Sequence, residues 1–159
     1  MKILKFLIIF LFTYTFAYAD KNMKIGSKGK ESEISRVVKV VMYDNYYEPS
    51  SFQIKAGETI KFEVENAGML VHEFNIANKM MHMKHQPEMI KMVENEILLA
   101  DSIDKKKMKR MSKMDKSMGH SHSNSVLLEP QEKGDIVWKF ENAITVSYTH
   151  LTLPTIDRV

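Results

Sequence analysis

The sequence predicts an all-β protein, a β-sandwich interrupted by one helical insertion. The first observation is a series of short segments in which apolar and polar residues alternate, separated by turns that contain Gly, Pro or Asn. This spacing is typical of an antiparallel sandwich. The second observation is that the alternation stops after residue 76 and resumes at residue 125. The third is that the intervening residues show helical spacing and hold nine of the 13 Met and four of the six His.

Each predicted strand has its own pattern. Residues 36–43 are β-branched and apolar enough for a well-buried strand, and a turn at residues 46–50 follows. Alternation predicts further strands at residues 52–54, 60–64, 71–76, 125–129 and 135–141. In the strand at 71–76, one face carries His72, Phe74 and Ile76.

The insertion, residues 77–124, is predicted to contain two helices. Pro87 suits the first turn of a helix, and Ile90, Val93 and Ile97 repeat at helical spacing. A second helix is expected at residues 104–118, ending before Gly119.

The N-terminus predicts export. Residues 1–19 combine two Lys, an apolar run of about a dozen residues and an Ala-x-Ala pattern before Asp20, as in a cleavable signal peptide. An uncleaved membrane anchor is the alternative, although spanning a bilayer takes about 20 apolar residues. Residues 20–35 are polar and aperiodic, and are expected to be a flexible tether. Because Lys2 and Lys5 account for two charges of the net +3, the mature chain would carry only +1, which argues against nucleic-acid binding.

The Met and His of the insertion form a candidate metal site. Thioether sulfur and imidazole nitrogen are the donors that select copper, with Cu(I) favouring Met and Cu(II) favouring His. The simpler alternative for the Met every three or four residues in the second helix is a buried, packing stripe. The candidate ligands are Met80, Met81, His82, Met83, His85, Met108, Met111, Met114, Met118, His120 and His122.

The second predicted helix is strongly basic. Seven basic residues and one acidic residue, Asp115, lie between residues 105 and 116. The pattern fits a solvated face, or a surface that docks to an anionic protein or a membrane. The residues expected to make such a contact are Lys105, Lys106, Lys107, Lys109 and Arg110.

Several motifs in order resemble one family. They are Tyr47-Glu48-Pro49, the segment 52–62, the segment 65–68, His72-Glu73-Phe74, Leu128-Glu129-Pro130 and Val137-Trp138-Lys139-Phe140. Over residues 37–141 the chain resembles the cupredoxins, in particular exported plastocyanin/azurin-like copper proteins with a Met-rich insertion. The resemblance implies a Greek-key β-sandwich, a type 1 copper site with His72 as its first ligand, and single-electron transfer with redox partner proteins.

The end of the chain departs from that family pattern. Where the family supplies a Cys, a second His and a Met, this sequence has none of them in the expected loop, and residues 146–155 resemble the translation of a sequencing adapter. We therefore expect residues 36–144 to be an incomplete cupredoxin-like domain that lacks its last strand, and residues 145–159 to be a non-native tail. The alternative is a divergent protein that has lost its type 1 site.

Two functions follow from the sequence. The parent protein is expected to be a type 1 copper electron carrier; alternatively, the insertion captures or delivers copper in the periplasm, with a copper donor or acceptor as partner. A third possibility is a metal-free sandwich whose basic insertion binds a protein. No catalytic set of residues is recognisable, so we expect a carrier or binding protein and not an enzyme.

Overall fold

The structure, a computed structural model, describes residues 25–147, with side chains described as far as residue 143. The predicted signal peptide, and residues 148–159 of the predicted non-native tail, lie outside this range. Among the described residues, no helix combines the length and hydropathy needed to cross a membrane.

Nine strands and two α-helices make up the described fold. The strands are β1 (Gly26–Lys28), β2 (Arg36–Met42), β3 (Tyr47–Glu48), β4 (Ser51–Ile54), β5 (Thr59–Asn66), β6 (His72–Asn75), β7 (Ser125–Leu128), β8 (Lys133–Phe140) and β9 (Ile144–Ser147). The helices are α1 (Lys79–Glu94) and α2 (Lys105–Met111), with short 3₁₀ helices at Glu31–Glu33 and Lys116–Gly119. The main sheet has the order β1-β8-β5-β2-β3, and β4-β9 and β6-β7 form two separate pairs.

One hydrophobic core joins the main sheet to the two strand pairs. Strand β5 alternates as predicted, with Ile60, Phe62 and Val64 almost fully buried and their polar neighbours outside. Phe62 lies at the centre, with its ring centroid 5.3 Å from that of Phe74 and 6.2 Å from that of Phe140. Burying such a side chain contributes about 1.5–3 kcal/mol. The predicted β-sandwich is therefore confirmed.

The strand pairing differs from the prediction in three places. β2 and β5 are parallel, not antiparallel, because the chain between them first folds back as β3 and then leaves the main sheet as β4. Part of the predicted tether is ordered, since β1 pairs with β8 and a 3₁₀ helix follows. Residues 144–147, which overlap the predicted non-native tail and the place of the strand expected to be missing, form β9 and pair with β4.

Both predicted helices have different boundaries. α1 begins eight residues before Pro87, because the side chain of Asn78 caps it by accepting a hydrogen bond from the Met81 amide at 2.8 Å. Its buried face is formed by Met89 and Met92, whereas Ile90 is 41% exposed. Of the other two residues with the predicted helical spacing, Val93 is half-buried against the insertion core and Ile97 is fully buried just beyond the helix.

α2 ends at Met111 and not at Met118. The Asp115 carboxylate accepts hydrogen bonds from the Ser117 amide and hydroxyl, at 3.0 and 2.7 Å, and these bonds start a separate 3₁₀ turn. Such local side-chain bonds compete with a continuous helix. The first turn of α2 also carries three Lys, which oppose the helix dipole.

The insertion has a hydrophobic core of its own, separate from that of the sandwich. Its buried members from the insertion lie on α1, in the 3₁₀ turn and in the connecting loops, and are Met89, Met92, Ile97, Leu98, Ile103 and Met118. Val71, in the loop before β6, also belongs to this cluster. Met108 and Met111 of α2 are half-buried against this cluster. The insertion is thus a packed subdomain.

The two ends of the insertion meet at one point of the sandwich. Asn75 and Ser125 are opposite each other in the β6–β7 pair. Just beyond them, the Ile76 amide donates to the Asn124 carbonyl at 2.8 Å, and the Asn124 side chain donates to Asn75 Oδ1 at 2.9 Å and to the Ile76 carbonyl at 3.1 Å. These bonds place the beginning of α1 and the loop before β7 beside strand β6.

Candidate metal centre

Five side chains meet where the insertion joins the sandwich. Glu73 lies on β6, His85 and Glu88 lie on α1, and His120 and His122 lie in the loop that leads into β7. We call these five residues the His/Glu centre. They form two groups of three that share His85, and within each group the potential ligand atoms all lie within 4.8 Å of one another. The His85 ring lies 5.2 Å from that of His120 and 5.0 Å from that of His122, measured between centroids.

The inner group consists of Glu73, His85 and His120. Glu73 Oε1 lies 3.1 Å from His85 Nε2 and 3.0 Å from His120 Nε2. The side chains are only 12%, 10% and 4% exposed, respectively. His120 adopts a left-handed backbone conformation with φ +43°, which is uncommon for a residue with a side chain. The inner group is therefore held in place by the fold.

The outer group consists of His85, Glu88 and His122, and it is closer to the solvent. Glu88 Oε2 lies 3.2 Å from His85 Nδ1 and 3.0 Å from His122 Nε2. The side chains of Glu88 and His122 are 31% and 36% exposed. Because Glu88 follows His85 by three residues on α1, the two side chains share one face of the helix.

Hydrogen bonds inside the His/Glu centre favour the charged forms of Glu73 and His85. Burial would raise the pKa of Glu73, but hydrogen bonds from His120 and His85 outweigh it and lower this pKa to about 2. The hydrogen bond to Glu73 raises the pKa of His85 above its ordinary value, against the opposing effect of burial. Glu73 is therefore a carboxylate at any physiological pH, and it supplies a buried negative charge facing two imidazoles.

The donor set fits a divalent transition metal ion. Imidazole nitrogens and carboxylate oxygens bind such ions at about 2.0–2.2 Å, and two donors of one ion then lie roughly 3 Å apart when they meet at 90–109°. The nitrogen–oxygen distances in both groups, 3.0–3.2 Å, match this separation. Imidazole with carboxylate suits Cu(II) or Zn(II) better than Cu(I), which prefers sulfur.

The structure brings three of the four predicted His of the insertion together. The fourth, His82, lies on α1 but in neither group of the His/Glu centre. Met80, Met81 and Met83, also on α1, are 46%, 37% and 56% exposed.

The four Met predicted to share one helix face do not do so. Met118 is buried, and Met108 and Met111 are half-buried against the same hydrophobic cluster, whereas Met114 is 88% exposed. The packing interpretation is therefore the better one for the first three.

Sequence analysis missed both carboxylates of the centre. Glu88 could have been found, because His85-x-x-Glu88 is a spacing that places two ligands on one helix face. Glu73 carries no local signal. It follows His72 on a strand, so it points to the opposite face, and only the return of the insertion to β7 brings it beside His85 and His120.

His72, the predicted type 1 ligand, is buried on the other face of β6. Its Nε2 lies 2.9 Å from Asp44 Oδ1, and Asp44 also accepts the amides of Met69 and Leu70 at 2.9 and 3.1 Å. These hydrogen bonds, the one from His72 first, lower the pKa of Asp44. The ring of Tyr47 lies edge-on to His72 at 6.4 Å. Asp44, which sequence analysis also missed, thus fixes the imidazole in the way that second-sphere carboxylates orient metal-binding His.

The residues of this chain do not supply the ligands of a type 1 site around His72. That site requires a Cys thiolate, and the 159 residues include no Cys.

The basic residues of α2 are partly paired within the protein. Lys105 contacts the carboxylates of Glu129, at 2.7 Å, and of Glu132, and Lys107 lies 3.7 Å from Glu96. Intramolecular pairing reduces the positive field that the sequence predicted for this helix.

Known proteins resemble this chain over most of its length. A family model described as "Cupredoxin-like domain" matches residues 6–101. The copper-resistant cuproprotein CopI of Pseudomonas aeruginosa is 36% identical over 129 residues, which are 77% of this chain and 71% of that protein. Its namesake in Rubrivivax gelatinosus is 26% identical over 125 residues, which are 78% of this chain and 62% of that protein.

One solved structure is also similar. The crystal structure of Na-dithionite reduced auracyanin from the photosynthetic bacterium Roseiflexus castenholzii matches with a TM-score of 0.44 and 13% identity, covering 72% of this chain and 85% of that one. The family model covers more than half of the sequence, and the CopI protein of Pseudomonas aeruginosa exceeds 30% identity across more than two thirds of its own length. The chain therefore belongs to the cupredoxin family.

Proposed function

We propose that this protein is an exported cupredoxin that captures copper, and that the His/Glu centre is where the described residues bind it as Cu(II). The observation that carries the proposal is the meeting of three imidazoles and two carboxylates at donor spacing. The relatives named copper-resistant cuproproteins support copper as the metal. Export is supported by the predicted signal peptide, residues 1–19.

The His/Glu centre is preorganised for a cation in the metal-free protein. Glu73 and Glu88 each present one oxygen to two imidazoles, so the donors are already converged and little side-chain entropy remains to be lost. The buried carboxylate of Glu73 offsets the charge of the ion, which would otherwise be costly to desolvate. The imidazole nitrogens that bind the ion must be free of protons, so capture by a centre with protonated His85 releases protons.

The test compares two His on the same helix. His85→Ala removes a ligand that both groups share, and His82→Ala removes a His that lies in neither. Cu(II) affinity is measured by competition with a chelator of known affinity. Because losing even an outer-sphere partner costs about 10–100-fold in metal affinity, His85→Ala should weaken binding by more than about 100-fold, and His82→Ala should leave it within a few-fold. Equal affinities of the two variants would refute the proposal.

A copper donor or acceptor protein is the proposed partner, with the basic residues of α2 as its docking surface. Lys106, Lys109 and Arg110 would provide the positive charge, since Lys105 and Lys107 already contact carboxylates of this chain. Reversing the charge of these three residues should slow copper transfer to an anionic partner at low salt, and the difference should shrink as salt screens it.

Single-electron transfer by a type 1 copper is the second candidate function. It is favoured by the position of His72, buried on β6 and oriented by Asp44. The role is proposed for a form of the protein in which a Cys, a second His and a Met complete the site. Sequencing the gene across the codon for Ile144 tests it, because a continuous reading frame to Val159 without a Cys would rule it out.

A further inference from the structure

We infer that the His/Glu centre binds two Cu(II) ions that share the imidazole of His85; the inference rests on the proposed copper-binding function. His85 belongs to both groups of the centre and uses a different nitrogen in each. Its Nε2 lies 3.1 Å from Glu73, and its Nδ1 lies 3.2 Å from Glu88. The two nitrogens of an imidazole point away from each other, so a single ion cannot bind both.

Each nitrogen faces a complete three-donor group. Glu73 and His120 complete the group at Nε2, and Glu88 and His122 complete the group at Nδ1. In each group, one carboxylate oxygen lies within hydrogen-bond distance of two imidazole nitrogens, at 3.0–3.2 Å. The two groups therefore repeat the same arrangement on opposite sides of one ring. Three protein donors with an open position are a common metal-binding set.

Charge and proton balance are consistent with a shared ring. When an ion binds on each side, both ring nitrogens of His85 give up their protons to solvent and form bonds to copper, which leaves an imidazolate. A proton on Nε2 of His120 or His122 leaves to solvent or moves to Nδ1 of the same ring, so that each Nε2 has a free lone pair. The imidazolate and the two carboxylates offset most of the charge of the two dications. Both ions remain Cu(II), and no electron is transferred.

The two groups differ in burial, which separates them experimentally. The side chains of Glu73 and His120 are 12% and 4% exposed, whereas those of Glu88 and His122 are 31% and 36% exposed. Substitutions in the outer group can therefore remove one ion without opening a buried site. Glu88→Gln conserves shape, and His122→Ala truncates a loop side chain at the surface.

The experiment is a Cu(II) titration of the full chain in the presence of a competing chelator, with bound copper counted and the electron paramagnetic resonance signal integrated. The wild-type chain should bind two ions, and its integrated signal should fall short of the bound copper because an imidazolate couples the two spins. Glu88→Gln and His122→Ala should each bind one ion with full signal intensity. His82→Ala, the matched control, should behave as wild type.

Each result has a distinct meaning. One ion in the wild-type chain would overturn the shared site while leaving the proposed function intact, and no tightly held ion would reject both. Two ions that persist in Glu88→Gln and His122→Ala would place the second ion elsewhere and overturn the inference. Two ions with a full integrated signal would overturn the shared imidazole.

Discussion

Replacing Glu73 with Gln should remove a large, pH-dependent part of the stability of the metal-free protein. The carboxylate accepts hydrogen bonds from His85 and His120, and its side chain is 12% exposed. Its pKa is lowered from the ordinary 4.5 to about 2. A difference of about 2.5 pKa units corresponds to about 3 kcal/mol of folding free energy.

The sign of the effect follows from the direction of the two pKa shifts. The contribution of Glu73 is present above its ordinary pKa of 4.5 and is lost as the pH falls towards 2. The contribution of His85, whose pKa is raised, is complete below its ordinary value of 6.5 and is lost as the pH rises through the raised pKa. The metal-free chain should therefore be most stable between pH 4.5 and pH 6.5.

Urea unfolding of the metal-free chain in the presence of a chelator measures this. As the pH falls from about 5.5 towards 2, the wild type should lose up to about 3 kcal/mol of unfolding free energy because Glu73 becomes protonated. As the pH rises from about 5.5 to about 9, it should lose the contribution of His85. Glu73→Gln should start lower at about pH 5.5 and change less than the wild type in both directions. The matched control is Glu65→Gln on β5, whose partner is Lys133 at 2.9 Å on the exposed surface; it should cost less than about 1 kcal/mol. Parallel pH profiles for wild type and Glu73→Gln would show that the charge pairing inside the centre does not stabilise the fold.

Three further outcomes are expected. Replacing Met108, Met111 or Met118 with Leu conserves volume in the insertion core, so each change should cost less than about 1.5 kcal/mol of unfolding free energy and leave Cu(I) uptake unchanged. Loss of Cu(I) binding without destabilisation would instead show that the replaced Met is a ligand. Gly68→Ala should destabilise the loop before β6 by about 1–3 kcal/mol, because its Cβ would lie 2.3 Å from Asp44 Oδ1; unchanged chemical shifts of the His72 ring would contradict this. Copper-loaded chain should show no intense copper–thiolate absorption, since the sequence has no Cys; such a band in the visible spectrum would refute our account of the ligands.

The β-sandwich could be predicted because its strands carry strict alternation. In β5 and β8, side chains on one face fill the core and those on the other meet solvent, so the pattern in the sequence is the pattern of burial. The parallel pairing of β2 with β5 could not be predicted this way. Alternation specifies which face of a strand is buried, but it does not specify which strand lies beside it.

The helices of the insertion were predicted less well because two local interactions outweighed the apolar periodicity. The cap at Asn78 starts α1 early, and the Asp115–Ser117 hydrogen bonds end the second helical segment early. Met residues are ambiguous in sequence, since a thioether that can bind copper is equally suited to filling a core. Met118, buried in the insertion core, shows the second use.

The candidate metal centre was predictable in part. Three of its His were named from their density in the sequence, but the pairing of Glu73 with His85 and His120 spans 12 and 47 residues. Contacts at such separation depend on the β6–β7 register and not on any local motif. Glu73, the candidate ligand on the sandwich, could therefore be identified only after the fold was known.

The meeting of the two ends of the insertion has a consequence for how such a protein can change. Asn75 and Ser125 face each other across one strand pair, so a two-residue turn of the kind found in hairpins would connect β6 to β7 directly. A single in-frame deletion could remove the whole subdomain and leave the sandwich closed, with Glu73 as an ordinary surface acid. Conversely, a single insertion at this turn could introduce four of the five members of the centre at once. The four members of the His/Glu centre that the insertion carries are thus separable, as one genetic unit, from the scaffold that carries His72.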